Sequence, residues 1–281
     1  MPDALPSLYL SHGSPMLALE PGPAGLFMQR LGRSITRTWG TPRAIVALSP
    51  HTSTHVPVVL GAARHDTVHD FGGFPPELDE VLYDAEGEPA LARQVAELLS
   101  EADTRTQWTP HGGLDHGIWT VLVHLFPEVN VPVVPVSLVP SASPAEAFEW
   151  GRALRSLRHE GVLVIGSGSL THNLRRLFTQ PTPVDAPEAA DCAAFRAWVN
   201  GCCTGGDWSA LLSYRQNAPH AVDMHPTDEH WLPFYFAAGA ACDADASTPD
   251  LALRLHAGVT HGHLAMDAYG FGQAAAKLAN T

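Results

Sequence analysis

The chain has 281 residues, 45% of them hydrophobic, with 16 Lys+Arg against 29 Asp+Glu and a formal net charge of -13. That acidity argues against binding nucleic acid or an anionic membrane through a general positive field, and no apolar run approaches the ~18 residues of a membrane helix. The length suits one large α/β domain or two small ones, and the apolar fraction is enough for a substantial core.

The N-terminal stretch Met1-Pro2-Asp3-Ala4-Leu5-Pro6 lacks the basic start and apolar run of a signal peptide, so a cytoplasmic protein is expected. Leu5 to Leu10 reads as a short buried strand that stops at Ser11-His12. Arg43 to Leu48 is a second strand, ending at Ser49-Pro50-His51, and Val56 to Leu60 continues the sheet. Glu88 to Ser100 sets Leu91, Val95, Leu98 and Leu99 at helical spacing. Val131 to Leu138 is a third core strand. Ser143-Pro144-Ala145-Glu146 is a capping box with Pro at the first helical position, opening a helix that runs to about His159. Val162 to Ile165 is the fourth strand, Thr179 to Pro187 a Pro-rich surface loop, and Ala189 to Val199 a helix. Asp207 caps one more helix through Leu211 and Leu212, and Thr227 caps another whose first residues are acidic. Pro233 leaves the extent of that last helix open. Continuous apolar runs, rather than alternation, point to strands covered on both faces. Strand and helix alternation predicts an α/β fold with helices on both sheet faces, and no composition break marks a linker.

Cys192, Cys202, Cys203 and Cys242 form no C-x-x-C and no zinc-finger spacing with His. Free thiols are expected, with Cys202 and Cys203 in a loop or packing surface, and any metal would be held by His. The chain has 16 histidines. Three stand where an apolar run stops: His12 in Ser11-His12-Gly13-Ser14-Pro15, His51 in Ser49-Pro50-His51, and His230 in Pro226-Thr227-Asp228-Glu229-His230. Neutral imidazole is the commonest protein ligand for zinc and iron. Three protein ligands with other positions open mark a catalytic metal. Glu229 is the alternative to His230, because neighbours on a helix point too far apart to bind one ion together. His55, His65, His124, His159 and His256 lack a second polar anchor and read as structural or solvent-exposed.

Three more segments carry chemistry. His69-Asp70-Phe71-Gly72-Gly73-Phe74-Pro75 is a loop dense in Gly and aromatics, suited to a cleft wall, with His69 as a polar contact or a loop hydrogen bond. In Leu114-Asp115-His116-Gly117, Asp115 is placed to orient an imidazole by taking its other N–H. In Gly166-Ser167-Gly168-Ser169-Leu170-Thr171-His172-Asn173, small residues after a strand let the backbone approach a ligand and His172 reach inward. This last segment is neither G-x-S-x-G nor followed by G-K-[ST], which counts against a serine hydrolase and a P-loop. His12 and His51 follow strands directly and His172 follows closely, as expected where active sites gather at strand C-terminal ends.

Together these segments resemble the class III extradiol ring-cleavage dioxygenases, in the DOPA-dioxygenase-like (LigB-type) branch. The likeness rests on L-S-H-G-S-P, S-P-H, H-D-F-G-G-F-P, D-H-G, S-G-S-L-T-H-N and T-D-E-H-W-L-P in that order, from Leu8 to about Pro233, and weakly on Gly262-His263. It implies a single α/β domain, here residues 1–281, around a mixed, mostly parallel sheet. It implies His12, His51 and His230 as metal ligands, His172 as the acid/base, and His116 as a second active-site histidine near the substrate. His69, Asp70 and Phe74 would contact the substrate. Fe(II) is the metal expected for activity, with Zn(II) also able to occupy the same ligands. The implied partners are a catechol, DOPA-like among the candidates, and O2, giving a muconic semialdehyde. No nucleic acid or membrane partner is implied, and the chain would be a monomer or homo-oligomer. Thr52 departs from the family, which usually has an aromatic after the second metal histidine. Arg175 or Arg176 would either pair with a substrate carboxylate or form a surface salt bridge. Two other readings of the residues stay open: a zinc-dependent hydrolase on the same three histidines, and a non-catalytic binding relative.

Overall fold

The apolar runs of the sequence become the centre of an eight-stranded sheet in the computed structural model, which describes residues 4–102, 105–243 and 246–281. In chain order the strands are β1 (Ser7–Ser11), β2 (Ala44–Ser53), β3 (Val58–Leu60), β4 (Arg64–Thr67), β5 (Ala85–Glu86), β6 (Gln107–Thr109), β7 (Gly113–Leu114), β8 (Val133–Leu138), β9 (Val162–Gly168), β10 (Ala252–His256), β11 (Val259–Thr260), β12 (Leu264–Ala265) and β13 (Ala268–Phe271). The helices are α1 (Gly22–Trp39), α2 (Pro89–Glu101), α3 (His116–Leu125), α4 (Pro144–Ala153), α5 (Leu174–Thr179), α6 (Ala190–Gly205), α7 (Trp208–Leu212), α8 (Tyr214–Asn217), α9 (Ala221–Met224) and α10 (Leu232–Ala240).

The large sheet has the order β10-β13-β1-β9-β2-β8-β3-β6. Its inner four strands, β1, β9, β2 and β8, are parallel. β13 and β10 add antiparallel strands on one side, and β3 is antiparallel to β8 on the other. The domain is therefore α/β with a mixed sheet. A short sheet β5-β4-β7 and the β11-β12 pair stand apart from it.

Alternate residues along the central strands feed two separate cores. Leu8, Leu10, Ile45, Ala47, Leu163 and Ile165 pack with Phe27 and Leu31 of α1 and Ile118 and Leu122 of α3. Tyr9, Val46, Leu48, Val162 and Val164 pack with Leu91 and Val95 of α2, Phe148 of α4 and Phe234 of α10. Both strand faces are dry, which is why these segments are apolar throughout. Each fully buried Leu, Ile or Val contributes on the order of 1.5–3 kcal/mol. Helix α10 is buried along its whole length. It meets α4 so closely that a Cβ at Gly151 would run into the Phe236 carbonyl, and one at Gly239 into the Phe148 carbonyl.

Several boundaries differ from expectation. β2 runs on through Ser49-Pro50-His51 to Ser53, and β9 runs on to Gly168. Helix α4 stops at Ala153, and the 3-10 turn Arg155–Glu160 carries the chain onward. Cys202 and Cys203 lie inside α6, not in a loop, and all four cysteines are free. Thr227 caps no helix. Its hydroxyl donates to Glu229 Oε1 (2.9 Å), residues 227–228 bend and 229–231 form a turn, and α10 begins at Leu232. Pro233 then falls in the first turn, where its missing N–H has no partner to lose.

The histidines read as structural or exposed divide as physics requires. His65 and His124 are buried, His124 donating to the Leu17 carbonyl (2.7 Å), and His256 stacks on Phe27. His55 and His159 are exposed. Among the described residues, no helix is long and apolar enough to cross a membrane.

Candidate active site

The parallel strands bring their C-terminal ends to one edge. Ser11 and Gly168, the last residues of β1 and β9, are paired in register, and the His12 main-chain N–H donates to the Gly168 carbonyl (2.9 Å). His51 lies near the end of β2 and His116 opens α3. The turn that carries His230 is fastened to the end of β9, because the Ser169 N–H donates to the His230 carbonyl (3.0 Å). A Cβ at Gly168 would collide with that carbonyl, so glycine is required for the turn to sit there. His172 is held by its main-chain N–H on the Met224 carbonyl (2.8 Å).

Five imidazoles converge at this edge. Ring centroids are 5.0 Å apart for His12–His51, 5.5 Å for His12–His230 and 5.1 Å for His51–His230. His116 is 3.8 Å from His51 and 5.7 Å from His12. His172 stacks on His230 at 3.4 Å with an interplanar angle of 11°. One set of ligand atoms within 4.8 Å of one another comes from His12, His51 and His116, and a second from His172, Glu229 and His230. The structure thus gathers five of the six histidines singled out in the sequence, His69 standing apart on Val81 and Trp119, but it groups His116, not His230, most tightly with His12 and His51.

The hydrogen bonds fix how two of these rings face. The Ser167 hydroxyl donates to the Gly117 carbonyl, so toward His12 Nδ1 (3.0 Å) it can only accept. His12 therefore carries its proton on Nδ1 and presents a bare Nε2. His51 Nε2 lies 3.1 Å from that Nε2. His230 Nδ1 lies 3.3 Å from Glu229 Oε1, which only accepts, and His230 Nε2 is buried with no hydrogen-bond partner.

Burial disfavours the imidazolium at His12, His51, His172 and His230, and neighbouring imidazoles add to the effect. It holds His12 and His230 well below the usual histidine range, His51 down to about 3 and His172 down to about 4. These four rings are thus neutral at pH 7, the form that ligates a metal.

Buried acceptor nitrogens facing one another without protons between them are unfavourable unless a cation satisfies them. An all-imidazole set suits zinc or iron. The nitrogens of His12, His51 and His116 lie close enough together for such an ion, with the His230 ring 5.1 Å from His51 and 5.5 Å from His12. His172 and His230, stacked in nearly parallel planes, cannot both aim their in-plane lone pairs at one ion.

The second shell departs from the sequence expectation. Asp115 orients no imidazole. It caps α3 by accepting from the Ile118 N–H (3.2 Å) and accepts from the Thr52 hydroxyl (2.6 Å). Its burial pushes its pKa up. Thr52, where the family has an aromatic, serves as this donor. Asp70 is the carboxylate beside the imidazoles, with Oδ2 3.0 Å from His116 Nδ1.

The 69–75 loop forms an aromatic wall, but its order differs from expectation. The His69 ring donates to the Val81 carbonyl (3.0 Å) and packs against Trp119 and Phe71. Phe71 is edge-on to His116 at 5.6 Å, while Phe74 lies behind it, 38% exposed. Arg176 pairs with Asp191 (2.6 Å), the salt-bridge alternative, and Arg175 is exposed. The weakly matching Gly262-His263 buttresses the site, since the Thr171 hydroxyl donates to the His263 carbonyl (2.7 Å).

Sequence reasoning missed Ser167 as the partner of His12 and Phe71 as the ring beside His116. Their only signals were small residues after a strand and aromatics in a Gly-rich loop.

Known proteins are similar to this chain. Residues 6–264 match the family described as the catalytic LigB subunit of aromatic ring-opening dioxygenase. A 4,5-DOPA dioxygenase extradiol of Beta vulgaris is 34% identical over 238 residues, covering 84% of this chain and 86% of the relative. The protein of the same name from Escherichia coli (strain K12) is 35% identical over 245 residues, covering 84% of this chain and 85% of the relative. A crystal structure of an uncharacterized Escherichia coli K12 protein aligns with a TM-score of 0.72 at 27% identity, covering 95% of this chain and 100% of that one. The chain belongs to the LigB family of extradiol, aromatic ring-opening dioxygenases.

Proposed function

We propose that this dioxygenase opens the ring of a small catechol with O2 to give a muconic semialdehyde, using Fe(II) held by His12, His51 and His230. The observation that carries the reading is the unpartnered, buried His230 Nε2 beside the two facing Nε2 atoms of His12 and His51. The relatives named for 4,5-DOPA cleavage favour a DOPA-like catechol. When bound, Fe(II) supplies Lewis acidity toward the vicinal oxygens of the substrate and an electron path to O2. Zn(II) stands above Fe(II) in affinity for such ligands, so isolated protein can carry zinc.

The residues around that centre have separable tasks. His172 is neutral and free of any hydrogen bond to its ring among those described, so it is available to take a catechol proton and return it during ring opening. Developing negative charge on a substrate oxygen favours the protonated ring, which moves its low pKa toward neutrality. His116, with Nδ1 3.0 Å from Asp70 Oδ2, can accept from a substrate hydroxyl at its other nitrogen. Phe71, edge-on to His116 and backed by His69 and Phe74, offers the face on which the aromatic ring would lie.

The test is oxygen uptake by protein reconstituted anaerobically with Fe(II) and challenged with a catechol panel that includes DOPA. Uptake with a new yellow chromophore is expected. No uptake with iron confirmed bound would overturn the catechol reading.

A further inference from the structure

We propose that Thr52 is a positioning residue: its hydrogen bond to Asp115 pins the bulge that carries His51 to the helix start that carries His116. This deepens the reading of the site and rests on it, since His51 is one of the proposed metal ligands.

His51 sits where the sheet stops holding its strand. Pairing of β2 with β9 ends at Leu48. Pairing with β8 jumps from Ser49, opposite Ser137, to Ser53, opposite Leu138. Pro50, His51 and Thr52 therefore stand opposite no strand residue, in a bulge of the kind that re-aims a side chain. Two hydrogen bonds close the bulge on itself. The Ser53 hydroxyl donates to the Pro50 carbonyl (2.9 Å), and the His51 N–H donates to Ser49 Oγ (3.3 Å). All four residues belong to β2, so neither bond fixes where the bulge lies relative to the helices.

The Thr52 hydroxyl supplies a tie to another element. It donates to Asp115 Oδ2 (2.6 Å), while Asp115 Oδ1 accepts from the Ile118 N–H (3.2 Å) and caps α3. One buried carboxylate thus joins residues 63 positions apart in the chain. Each side of the joint carries an imidazole. His51 precedes Thr52, His116 follows Asp115, and their ring centroids are 3.8 Å apart. The contact needs a hydroxyl on Cβ, and the aromatic that the family usually has at this position carries none there.

Packing around the joint leaves no slack. A Cβ at Gly117 would run into Ser49 Oγ and lie 2.9 Å from His51 Cδ2, so α3 reaches the bulge only because residue 117 is glycine. The Gly117 carbonyl in turn accepts from the Ser167 hydroxyl, whose oxygen meets His12 Nδ1 (3.0 Å). The first turn of α3 therefore supports His12 and His51 as well as its own His116, and Thr52 holds the His51 segment against it.

Thr52→Val removes the hydroxyl at nearly constant shape, and Thr52→Ser keeps the hydroxyl without the methyl group. Thr52→Ala is a second hydroxyl-free variant. Thr52 is half-buried, so water reaches Asp115 in its place and the fold does not depend on burying a methyl against the carboxylate. In metal-free protein, amide hydrogen exchange is expected to rise in segments 49–54 and 115–118 of Thr52→Val and Thr52→Ala. Zinc affinity by chelator competition is expected to fall about 10-fold in both. The visible bands of the cobalt(II)-loaded protein, which report ligand geometry and not fold stability, are expected to shift. Thr52→Ser is expected to match the wild type in all three readouts. Wild-type exchange in both hydroxyl-free variants would overturn the proposal. Raised exchange with unaltered cobalt bands and zinc affinity would do the same, because the bond would then be structural only, as would a Thr52→Ser protein that behaves like Thr52→Ala. A wild type that binds neither metal strikes the metal reading and this role with it. Absent catechol turnover in iron-loaded wild type strikes the catechol reading alone and leaves the exchange, affinity and cobalt results standing.

Discussion

At the scale of single residues, the site depends on which nitrogen of each imidazole holds the proton. Ser167 fixes this for His12, because its hydroxyl hydrogen is spent on the Gly117 carbonyl. Ser167→Ala is expected to release the His12 Nδ1 proton and lower zinc affinity about 10–100-fold, read by chelator competition. His172 gives the opposite pattern. His172→Ala is expected to cut turnover by roughly 10²–10⁴ while metal content by elemental analysis stays near normal, because its ring stacks on His230 and does not converge with it. Loss of metal in that variant would make His172 a ligand. The five histidines were legible because each stands at a strand end, a turn or a helix start, in a motif with few other uses. Ser167 was not, and Asp70 was named only as a substrate contact, since their partners His12 and His116 lie 155 and 46 positions away in the chain. A pairing at that distance leaves no local pattern. Asp115, adjacent to His116, is what sequence proximity suggests, but the helix cap claims it first.

At the scale of elements, the long buried strands and capped helices were readable from periodicity, and their ends were not. β2 continues past Leu48 because β8 still supplies partners after the pairing with β9 has ended: Ser49 pairs with Ser137, and Ser53 with Leu138 after a bulge. That extension, invisible in the composition of Ser49-Pro50-His51, is what carries His51 to the cluster. The Thr227-Asp228-Glu229 stretch has the composition of a helix start, yet tertiary contacts decide otherwise. Asp228 is taken by Tyr214 and Arg215, and the turn closes onto Ser169. The tight α4–α10 contact is equally hidden, since Gly151 and Gly239 show their purpose only when the helices are docked. Gly239→Ala would force a methyl against the Phe148 carbonyl. It is expected to cost about 1–3 kcal/mol of stability in urea denaturation, with zinc affinity retained, because the contact lies within the α4–α10 packing and not among the imidazoles.

At the scale of the whole molecule, burying so many neutral imidazoles makes stability depend on pH. His225 shows this away from the proposed ligands. It is fully buried, donates from Nε2 to the Leu170 carbonyl (2.8 Å) and stacks on Trp231. Its Nδ1 is buried without a partner, and burial pulls its pKa down to about 3. The unfolded chain binds a proton on this ring near pH ~6.5, whereas the folded chain resists it until about 3. The contribution is therefore fully present above the unfolded value and is lost as pH falls from there through the folded one. It amounts to a few kcal/mol on the order-of-magnitude scale of about 1.4 kcal/mol per unit. Metal-free protein is expected to lose melting temperature steadily as pH drops below about 6.5. In His225→Gln, whose amide can still donate to Leu170, that loss should be shallower by about one proton. Added zinc should lift the curve in both proteins near neutral pH, since a ligand at 100 times its Kd stabilises by about 2.7 kcal/mol. A wild-type melting temperature flat from pH 7 to 4 would show that the folded chain takes up these protons without unfolding, which a ring enclosed as His225 is cannot do.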